Sequence, residues 1–495
     1  MKYKAAGVAA LAVLLLFGSL NWQVVFGVDT HQRYHQHLQA PQKAACQTAH
    51  TGGELCTHLP IISINTGGST IPGATVKDAA GKTVGYTKAA NGADRITAQI
   101  SVFDSEKQYN HPTNTPDFES AVEIHVRGNS SRSFSKAGYA VKLINKNGTS
   151  NPYALLGMDA HEDWALHGPF IDKTLMRNYM WYNIAGEIMD YAPNVRFCEV
   201  LLNGEYRGVY VLIETITAGK NGARLNLSVD EKNNNYSGYA LRLDRGRSNE
   251  QKNIETFTKY ALRRKHIIDI VYPGTRHLTP QLTESIRQDF SAFEKMLYSY
   301  DFDNPGVGYE SYIDVDSFID YFLINELTCN YDAGWLSTYI YKDMTGKFRM
   351  CIWDFNSACD NYQQSQIESS RIEMQNCLWF IMLMKDEAFT EKIVNRYYEL
   401  RKTYFNVDYL NNYIDSCIKY LGPAIDRNFS VWGYTFQQEY DVLKPTGRNA
   451  RSYKQAVEQM KSFLATRTQW LDENIESVKQ YSKDSKIKKF LENAN

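Results

Sequence analysis

The chain has 495 residues, of which 43% are hydrophobic and 22% are charged, and this composition is typical of globular rather than disordered proteins. Its 54 basic and 55 acidic residues give a formal net charge of -1, so there is no excess of Lys and Arg to neutralise nucleic-acid phosphates. We therefore expect no nucleic-acid partner. The length exceeds what a single compact core usually fills, so we expect a main unit with appended pieces.

The N-terminus has the features of an export signal. Lys2 and Lys4 precede an apolar stretch that extends, with one polar interruption, to Val28. Two interpretations remain open: a cleaved signal peptide, or a helix of about 23 residues that anchors the chain with its remainder outside the cytoplasm. Both predict an exported protein, either secreted to the cell surface or held in the membrane through residues 1–28.

The next segments differ in composition. Residues 29–56 are polar and rich in His and Gln, which is typical of a linker, and residues 57–118 contain short apolar runs with turn signals that predict a β-rich lead-in. We predict the main domain in residues 119–400 and a helical extension in residues 401–495. Of the eight cysteines, Cys46 and Cys56 could close a small loop, but sequence does not determine the pairing.

Hydrophobic patterns then predict the elements of the main domain in chain order. The alternating segments SAVEIHVRG and GYAVKLIN predict two strands joined by a Gly/Ser/Asn turn. A helix is predicted in LMRNYMWYNIAGEIMD, followed by two strands separated by Asn203 and Gly204, and a further strand in YSGYALRLDRG. Beyond residue 278 the pattern is mainly helical. A β-rich N-terminal half followed by a helical C-terminal half indicates the α+β class.

One β-hairpin interrupts the helical half and carries the candidate chemistry. Residues 337–343 and 347–353 predict two strands of similar length around a short turn. Asp332 precedes the first strand and Asp354 follows the second, so an antiparallel hairpin brings these carboxylates to its open end. There they are well placed to share Mg²⁺ and an attacking hydroxyl group. The alternative is that both aspartates only cap turns, which aspartate does often.

Four segments resemble, in the same order, the successive motifs of the CotH (spore coat protein H) kinase family. They are RGNSSRSFSKAGYAVKL, LLGMDAHEDWALHGPFIDKTLMRN, LNGEYRGVYVLIE, and the hairpin with Asp332 and the WDF segment at its end. The resemblance covers roughly residues 59–400. It implies an atypical protein-kinase-like fold that binds ATP with Mg²⁺ or Mn²⁺ and phosphorylates protein substrates outside the cytoplasm. Members also occur as spore-coat and cell-surface proteins.

The resemblance also assigns roles to individual residues. Asp332 matches the catalytic-loop aspartate and Asp354 the metal-binding aspartate, so both stand at the predicted metal site. Lys142 matches the nucleotide-binding lysine, and a lysine inside an apolar strand needs an anionic partner such as a phosphate. The alternative for Lys142 is an outward-facing position on its strand.

A second group of residues is assigned to the nucleotide. The loop Gly128, Asn129 and Ser130 offers backbone N–H groups and a hydroxyl to phosphates, with charge added by Arg127 or Arg132. This signal is weak alone, because such turns often only reverse the chain.

Two further interpretations concern the surroundings of this loop. Glu214 occupies a position that resembles the kinase hinge, or is a solvent-exposed strand end. Lys173, Arg177 and Asn178, at the start of the predicted helix, face the phosphates or solvent, and the sequence does not decide between these.

Two departures from the kinase pattern keep a second function class open. Ser337 stands where a catalytic loop has a metal-binding asparagine, and Asn356 where an acidic residue is more typical. The alternative function is a surface-binding or spore-coat structural protein with the same fold and no catalysis. A carbohydrate-processing enzyme is less favoured, because no spacing singles out a further carboxylate pair.

Overall fold

In the computed structural model, residues 33–45, 55–219, 224–228, 237–245, 251–257, 267–362 and 368–483 are described. The α+β class is confirmed: strands dominate the N-terminal half and helices the C-terminal part. The predicted signal or anchor in residues 1–28, and Cys46, lie outside the described residues. Among the described residues, no helix has both the length and the apolarity that a membrane crossing requires.

Seven strands of the N-terminal half close into a barrel in the order β1-β4-β5-β6-β7-β9-β8. Every neighbouring pair is antiparallel except β1 and β8, whose parallel pairing closes the barrel. The strands are β1 (Ile61–Asn65), β4 (Ile96–Phe103), β5 (Phe118–Arg127), β6 (Gly138–Ile144), β7 (Asp163–His167), β8 (Val195–Leu202) and β9 (Glu205–Glu214), and a separate ribbon pairs β2 (Thr75–Lys77) with β3 (Thr83–Tyr86).

Alternation along the strands fills the barrel interior. In β5, every second residue from Ser120 to Val126 is buried, and its apolar members pack with inward residues of the other strands, among them Trp164. The two predicted hairpins of this region are confirmed: Arg127 pairs with Gly138 across β5–β6, and Asn203 begins the turn of β8–β9. The boundary predicted between residues 118 and 119 lies within β5, so the barrel contains strands from both sides of it.

A second sheet carries the predicted hairpin. Its order is β11-β12-β10-β13-β14, in which all neighbours are antiparallel. The hairpin is confirmed, although its paired strands are shorter than predicted, covering only residues 338–342 and 349–351. The strands are β10 (Tyr239–Asp244), β11 (Asn253–Ile254), β12 (Ile267–Tyr272), β13 (Thr338–Lys342) and β14 (Arg349–Cys351).

Helices cover both sheets and share one large apolar core with them. They are α1 (Gln36–Gln39), α2 (Arg177–Ile188), α3 (Pro280–Leu297), α4 (Val315–Thr328), α5 (Phe380–Leu383), α6 (Glu387–Arg401), α7 (Val407–Leu421), α8 (Pro423–Trp432) and α9 (Tyr453–Asn474). Helix α2 packs against β8 of the barrel, and α4 leads into the loop before β13. Residues 36–495 form one compact unit. The residues that follow β14 therefore lie between the barrel side and the helical side of the core.

Candidate active site

The hairpin places Asp332 and Asp354 at the same end. Asp332 lies in the loop before β13, and Asp354 follows β14 after two intervening residues. Burial and the neighbouring charge of Asp354 together raise the pKa of Asp332 to about 7. Asn330, two residues before Asp332, donates from Nδ2 to the carbonyl of Asp354 at 3.1 Å. The structure therefore brings these two predicted site residues together.

Asp244 is a third carboxylate at this position, and the sequence analysis missed it. It is the last residue of β10, and Leu243, the residue before it, pairs with Thr338 at the start of β13. Burial has the largest effect on the pKa values of Asp332 and Asp354, and the charge of Asp244 raises both further. The strand that ends in Asp244 was predicted, but its position beside β13 depends on pairing between residues about a hundred apart, which the sequence does not show.

Arg127 brings a positive charge from the barrel to the carboxylates. Its guanidinium carbon lies 5.2 Å from the centroid of the Trp353 ring, and its charge lowers the pKa of Asp354. Arg132, by contrast, is used within the loop: its Nε donates to the carbonyl of Gly128 at 2.6 Å, and its guanidinium lies over Tyr86. Of the two predicted cations, Arg127 is therefore the one that faces the carboxylates.

The loop after Arg127 is exposed and tightly turned. Gly128, Asn129 and Ser130 are all exposed, and a 3-10 turn covers Ser130–Ser133. Gly128 has φ +108°, and a Cβ there would lie 2.0 Å from Oγ of Ser131, so only glycine fits. The loop is the tip of the β5–β6 hairpin, next in sequence to the cation that contacts Trp353.

Lys142 lies on the same barrel face as Arg127 but farther along it. It is half-buried on β6, opposite Glu123 on one side and Asp163 on the other. Gly138, the partner of Arg127, is four residues away on β6, or about 13 Å at the usual rise of a strand. Carboxylates thus flank Lys142 on both neighbouring strands, and its charge acts against the burial that raises the pKa of Asp163.

The sequence pattern that defines one protein family, described as CotH kinase protein, matches residues 124–471. The chain belongs to the CotH kinase family. The match contains Arg127, Lys142, Asp244, Asp332 and Asp354. No curated protein matches the chain.

Glu214 departs from one of its two interpretations. As the last residue of β9 it is completely buried, so the exposed strand end is wrong. Its carboxylate accepts hydrogen bonds from the backbone N–H of Asp159 at 3.1 Å and of Asn194 at 2.8 Å. These bonds fix two loops at the point where the chain leaves the barrel. The next described strand, β10, belongs to the second sheet.

Lys173, Arg177 and Asn178 are all buried, so the interpretation that they face solvent is wrong. Lys173 is buried, donates to the carbonyl of Phe170 at 3.0 Å, and has its pKa lowered to about 7 chiefly by burial. Arg177 forms an ion pair with Asp172 at 2.5 Å and donates to the carbonyl oxygens of residues 358 and 359. Arg177 thus holds the segment after β14, whereas Lys173 lies among the aromatic rings of residues 170, 436 and 440.

The donor set at Asp332 and Asp354 fits a divalent cation. Carboxylate oxygens are the preferred ligands of Mg²⁺ and Mn²⁺. The charges of Asp354 and Asp244 act on Asp332, and the pKa values of Asp332 and Asp354, raised chiefly by burial, indicate that the surrounding charges do not fully stabilise their ionised forms. A bound cation would supply that stabilisation. Asn356 does not supply the charge of an acidic residue at this position. Its backbone N–H instead donates to Oδ1 of Asp354 at 3.2 Å.

A different cluster, formed by His161, Glu162 and Asp163, suits a metal ion less well. Its potential ligand atoms lie within 4.8 Å of one another. However, Nδ1 of His161 already accepts the N–H of Asp163 at 2.9 Å, and burial together with the charges of Arg224 and Lys142 lowers the pKa of His161. The positive charges of these two side chains disfavour binding of a metal cation at this cluster.

Proposed function

We propose that the protein is an ATP- and Mg²⁺-dependent kinase-like enzyme that phosphorylates protein substrates outside the cytoplasm. Membership of the CotH kinase family supports kinase-like chemistry at the family level. The single structural observation that supports this function most strongly is the position of Asp332 and Asp354 at the open end of one hairpin, where Asn330 of the loop that contains Asp332 donates to the carbonyl of Asp354 at 3.1 Å.

In the proposed reaction, a hydroxyl oxygen of the acceptor protein forms a bond to the γ-phosphorus of ATP. The bond between that phosphorus and the bridging oxygen breaks, and ADP leaves with the electron pair. Asp332 accepts the hydroxyl proton, and its pKa of about 7 suits a base that works near neutral pH. Asp354 and Asp244 hold the divalent cation, which when bound neutralises charge on the phosphates.

The proposed nucleotide contacts come from the barrel. The charge of Arg127 acts on Asp354, and the N–H groups of Gly128, Asn129 and Ser130 lie at the exposed hairpin tip. Lys142 is proposed as a contact for a more distant part of the nucleotide, since it lies on the same face of the barrel.

We propose that the barrel and the helical part correspond to the two lobes of an atypical protein-kinase-like fold. The chain crosses between them after Glu214, as expected for a hinge whose backbone contacts adenine. The paired loops that Glu214 fixes would give that crossing a defined shape.

The proposed location rests on the sequence of the N-terminus. A positively charged start followed by the apolar residues up to Val28 favours export, with residues 1–28 as a signal peptide or a membrane anchor. Labelling intact cells with a membrane-impermeant amine reagent tests this proposal. Labelling of the protein only after cell lysis would contradict it.

A catalytically inactive binding or spore-coat protein is the second candidate function. Two observations favour it. Ser337, at the kinase asparagine position, offers a hydroxyl group, which is a poorer metal ligand than an amide oxygen. Asn356 donates its backbone N–H to Asp354 but adds no carboxylate. An assay of phosphate transfer from ATP separates the two functions, because only the enzyme transfers phosphate.

The test uses the full-length protein, purified in mild detergent and incubated with γ-labelled ATP and Mg²⁺ or Mn²⁺. We expect labelled phosphate on the protein itself or on added cell-surface extract, and loss of that label in Asp332→Asn and Asp354→Asn. An Asp301→Asn variant, which changes an exposed aspartate on the helical side, is the matched control. Wild-type protein that transfers no more label than Asp354→Asn would support the binding-protein function.

A further inference from the structure

Asp354 has a backbone conformation that residues other than glycine seldom adopt. Its φ is +60°, in the left-handed region, which costs an ordinary L-residue about 1–2 kcal/mol. Such strain persists only where the surrounding structure holds it in place. The contacts of the Asp354 backbone therefore show which residues hold it.

Three side chains hold the polar groups of this turn. The N–H of Asp354 donates to the hydroxyl of Tyr182 at 3.0 Å, and the next N–H, that of Phe355, donates to Oδ1 of Asn178 at 2.7 Å. Nδ2 of Asn330 donates to the carbonyl of Asp354 at 3.1 Å. Tyr182 and Asn178 come from α2, and Asn330 from the loop after α4, so the turn is held from two sides.

These side chains are themselves fixed. Tyr182 is buried, and its ring makes edge contacts with Trp353 and Phe355 on either side of Asp354. Asn178 is 4% exposed and Asn330 is 5% exposed, and the latter also donates to Oδ1 of Asn325 at 3.1 Å. Buried, hydrogen-bonded side chains of this kind restrict the backbone that they contact.

We infer that Asn178, Tyr182 and Asn330 are positioning residues that keep Asp354 in the left-handed conformation, so that its carboxylate faces Asp332 and a divalent cation. This inference rests on the proposed function, because it concerns how the proposed metal ligand is presented. Without the three hydrogen bonds, the backbone of Asp354 relaxes toward negative φ, and its carboxylate turns away from Asp332. These residues touch neither nucleotide nor acceptor in this scheme.

The lead variant is Tyr182→Phe, which removes one oxygen atom and keeps the ring. Tyr397→Phe is its control, since Tyr397 is also buried but donates to Asp472 in the helical part. A second pair is Asn178→Leu with Asn183→Leu, which changes another buried asparagine of α2. Each pair compares the same substitution at two buried positions, of which only one contacts the turn at Asp354, so a difference within a pair reports on Asp354.

Two measurements are made on the full-length protein. The first is hydrogen exchange at the amides of residues 354 and 355 without metal, where we expect faster exchange in Tyr182→Phe and Asn178→Leu than in their controls. The second is thermal stabilisation by Mn²⁺ with a non-hydrolysable ATP analogue. Loss of a residue that orients a metal ligand typically weakens metal affinity by tenfold or more, so we expect the half-saturating Mn²⁺ concentration to rise roughly tenfold.

Asp354→Asn separates failure of the inference from failure of the proposed function. If Asp354→Asn abolishes the Mn²⁺ effect while Tyr182→Phe and Asn178→Leu match their controls in both measurements, the positioning role is wrong and the metal site stands. If Asp354→Asn keeps the wild-type Mn²⁺ response, the proposed metal site itself is wrong. Faster exchange together with a raised Mn²⁺ requirement supports the inference.

Discussion

The guanidinium of Arg127 lies 5.2 Å from the ring centroid of Trp353, the residue before Asp354. Through this contact a strand of the barrel meets the segment that carries the proposed metal ligand. Arg127, which the family resemblance assigned to the nucleotide together with Lys142, is also the cation whose charge acts against the burial that raises the pKa of Asp354.

We therefore predict that Arg127→Met weakens binding of a non-hydrolysable ATP analogue more than Lys142→Met does. Loss of a charged hydrogen bond to phosphate costs about 1.5–3 kcal/mol, which corresponds to at least a tenfold rise in Kd. Isothermal titration calorimetry measures this, with Arg95→Met as a control because Arg95 is exposed and pairs with Glu123. A larger loss of affinity in Lys142→Met would contradict this prediction and would place the phosphates nearer to Lys142 than to Arg127.

The second prediction concerns the pKa of Asp332 in metal-free protein. Burial and the charges of Asp354 and Asp244 act together to raise it to about 7. Removing a like charge lowers the pKa of a carboxyl group, so Asp244→Asn should lower the pKa of Asp332. Carboxyl-carbon NMR titration measures the shift, and Asp301→Asn should leave it unchanged. An unchanged value in Asp244→Asn would show that Asp244 lies too far away to join the site.

The same shift predicts how stability depends on pH. The pKa of Asp332 is higher in the folded than in the unfolded chain, so its contribution to stability is present below pH 4 and is lost as the pH rises through about 7. Asp332→Asn should therefore raise the free energy of unfolding of metal-free protein at pH 8, by up to about 4 kcal/mol, and have little effect at pH 4. Denaturant unfolding at both pH values measures this. A variant that is less stable at pH 8 would contradict the shift.

A fourth prediction concerns the buried ion pair between Arg467 of α9 and Glu326 of α4. Both side chains are at most 1% exposed, and Glu326 also accepts the N–H groups of Glu373 and Met374. Removing one partner leaves a buried charge, which typically costs 3–5 kcal/mol.

Arg467→Met should thus lower the free energy of unfolding by about that amount. The exposed pair of Lys454 and Glu458 gives a control, since Lys454→Met should cost no more than about 1 kcal/mol. Equal losses in the two variants would mean that Arg467 contributes no more than a surface charge.

Local patterns predicted much of this fold. The hairpin around β13 and β14 followed from alternation and its turn, and that geometry required Asp332 and Asp354 to meet. The β5–β6 and β8–β9 hairpins were predicted for the same reason, since their strands are close in sequence.

Long-range pairing was not predictable in this way. The barrel closes through parallel pairing of β1 with β8, and Asp244 reaches the site only because β10 pairs with β13. No local pattern reports either pairing. Glu214 was not recognised as buried, because its hydrogen-bond partners Asp159 and Asn194 come from separate loops.

The proposal that Asp354 and Asp332 form one metal–nucleotide site is tested most directly by calorimetric titration of Mn²⁺ with a non-hydrolysable ATP analogue into wild-type protein and Asp354→Asn. We predict saturable, metal-dependent nucleotide binding to wild-type protein, and at least a tenfold weaker affinity in Asp354→Asn. Metal-dependent binding of equal strength in both proteins would contradict the account.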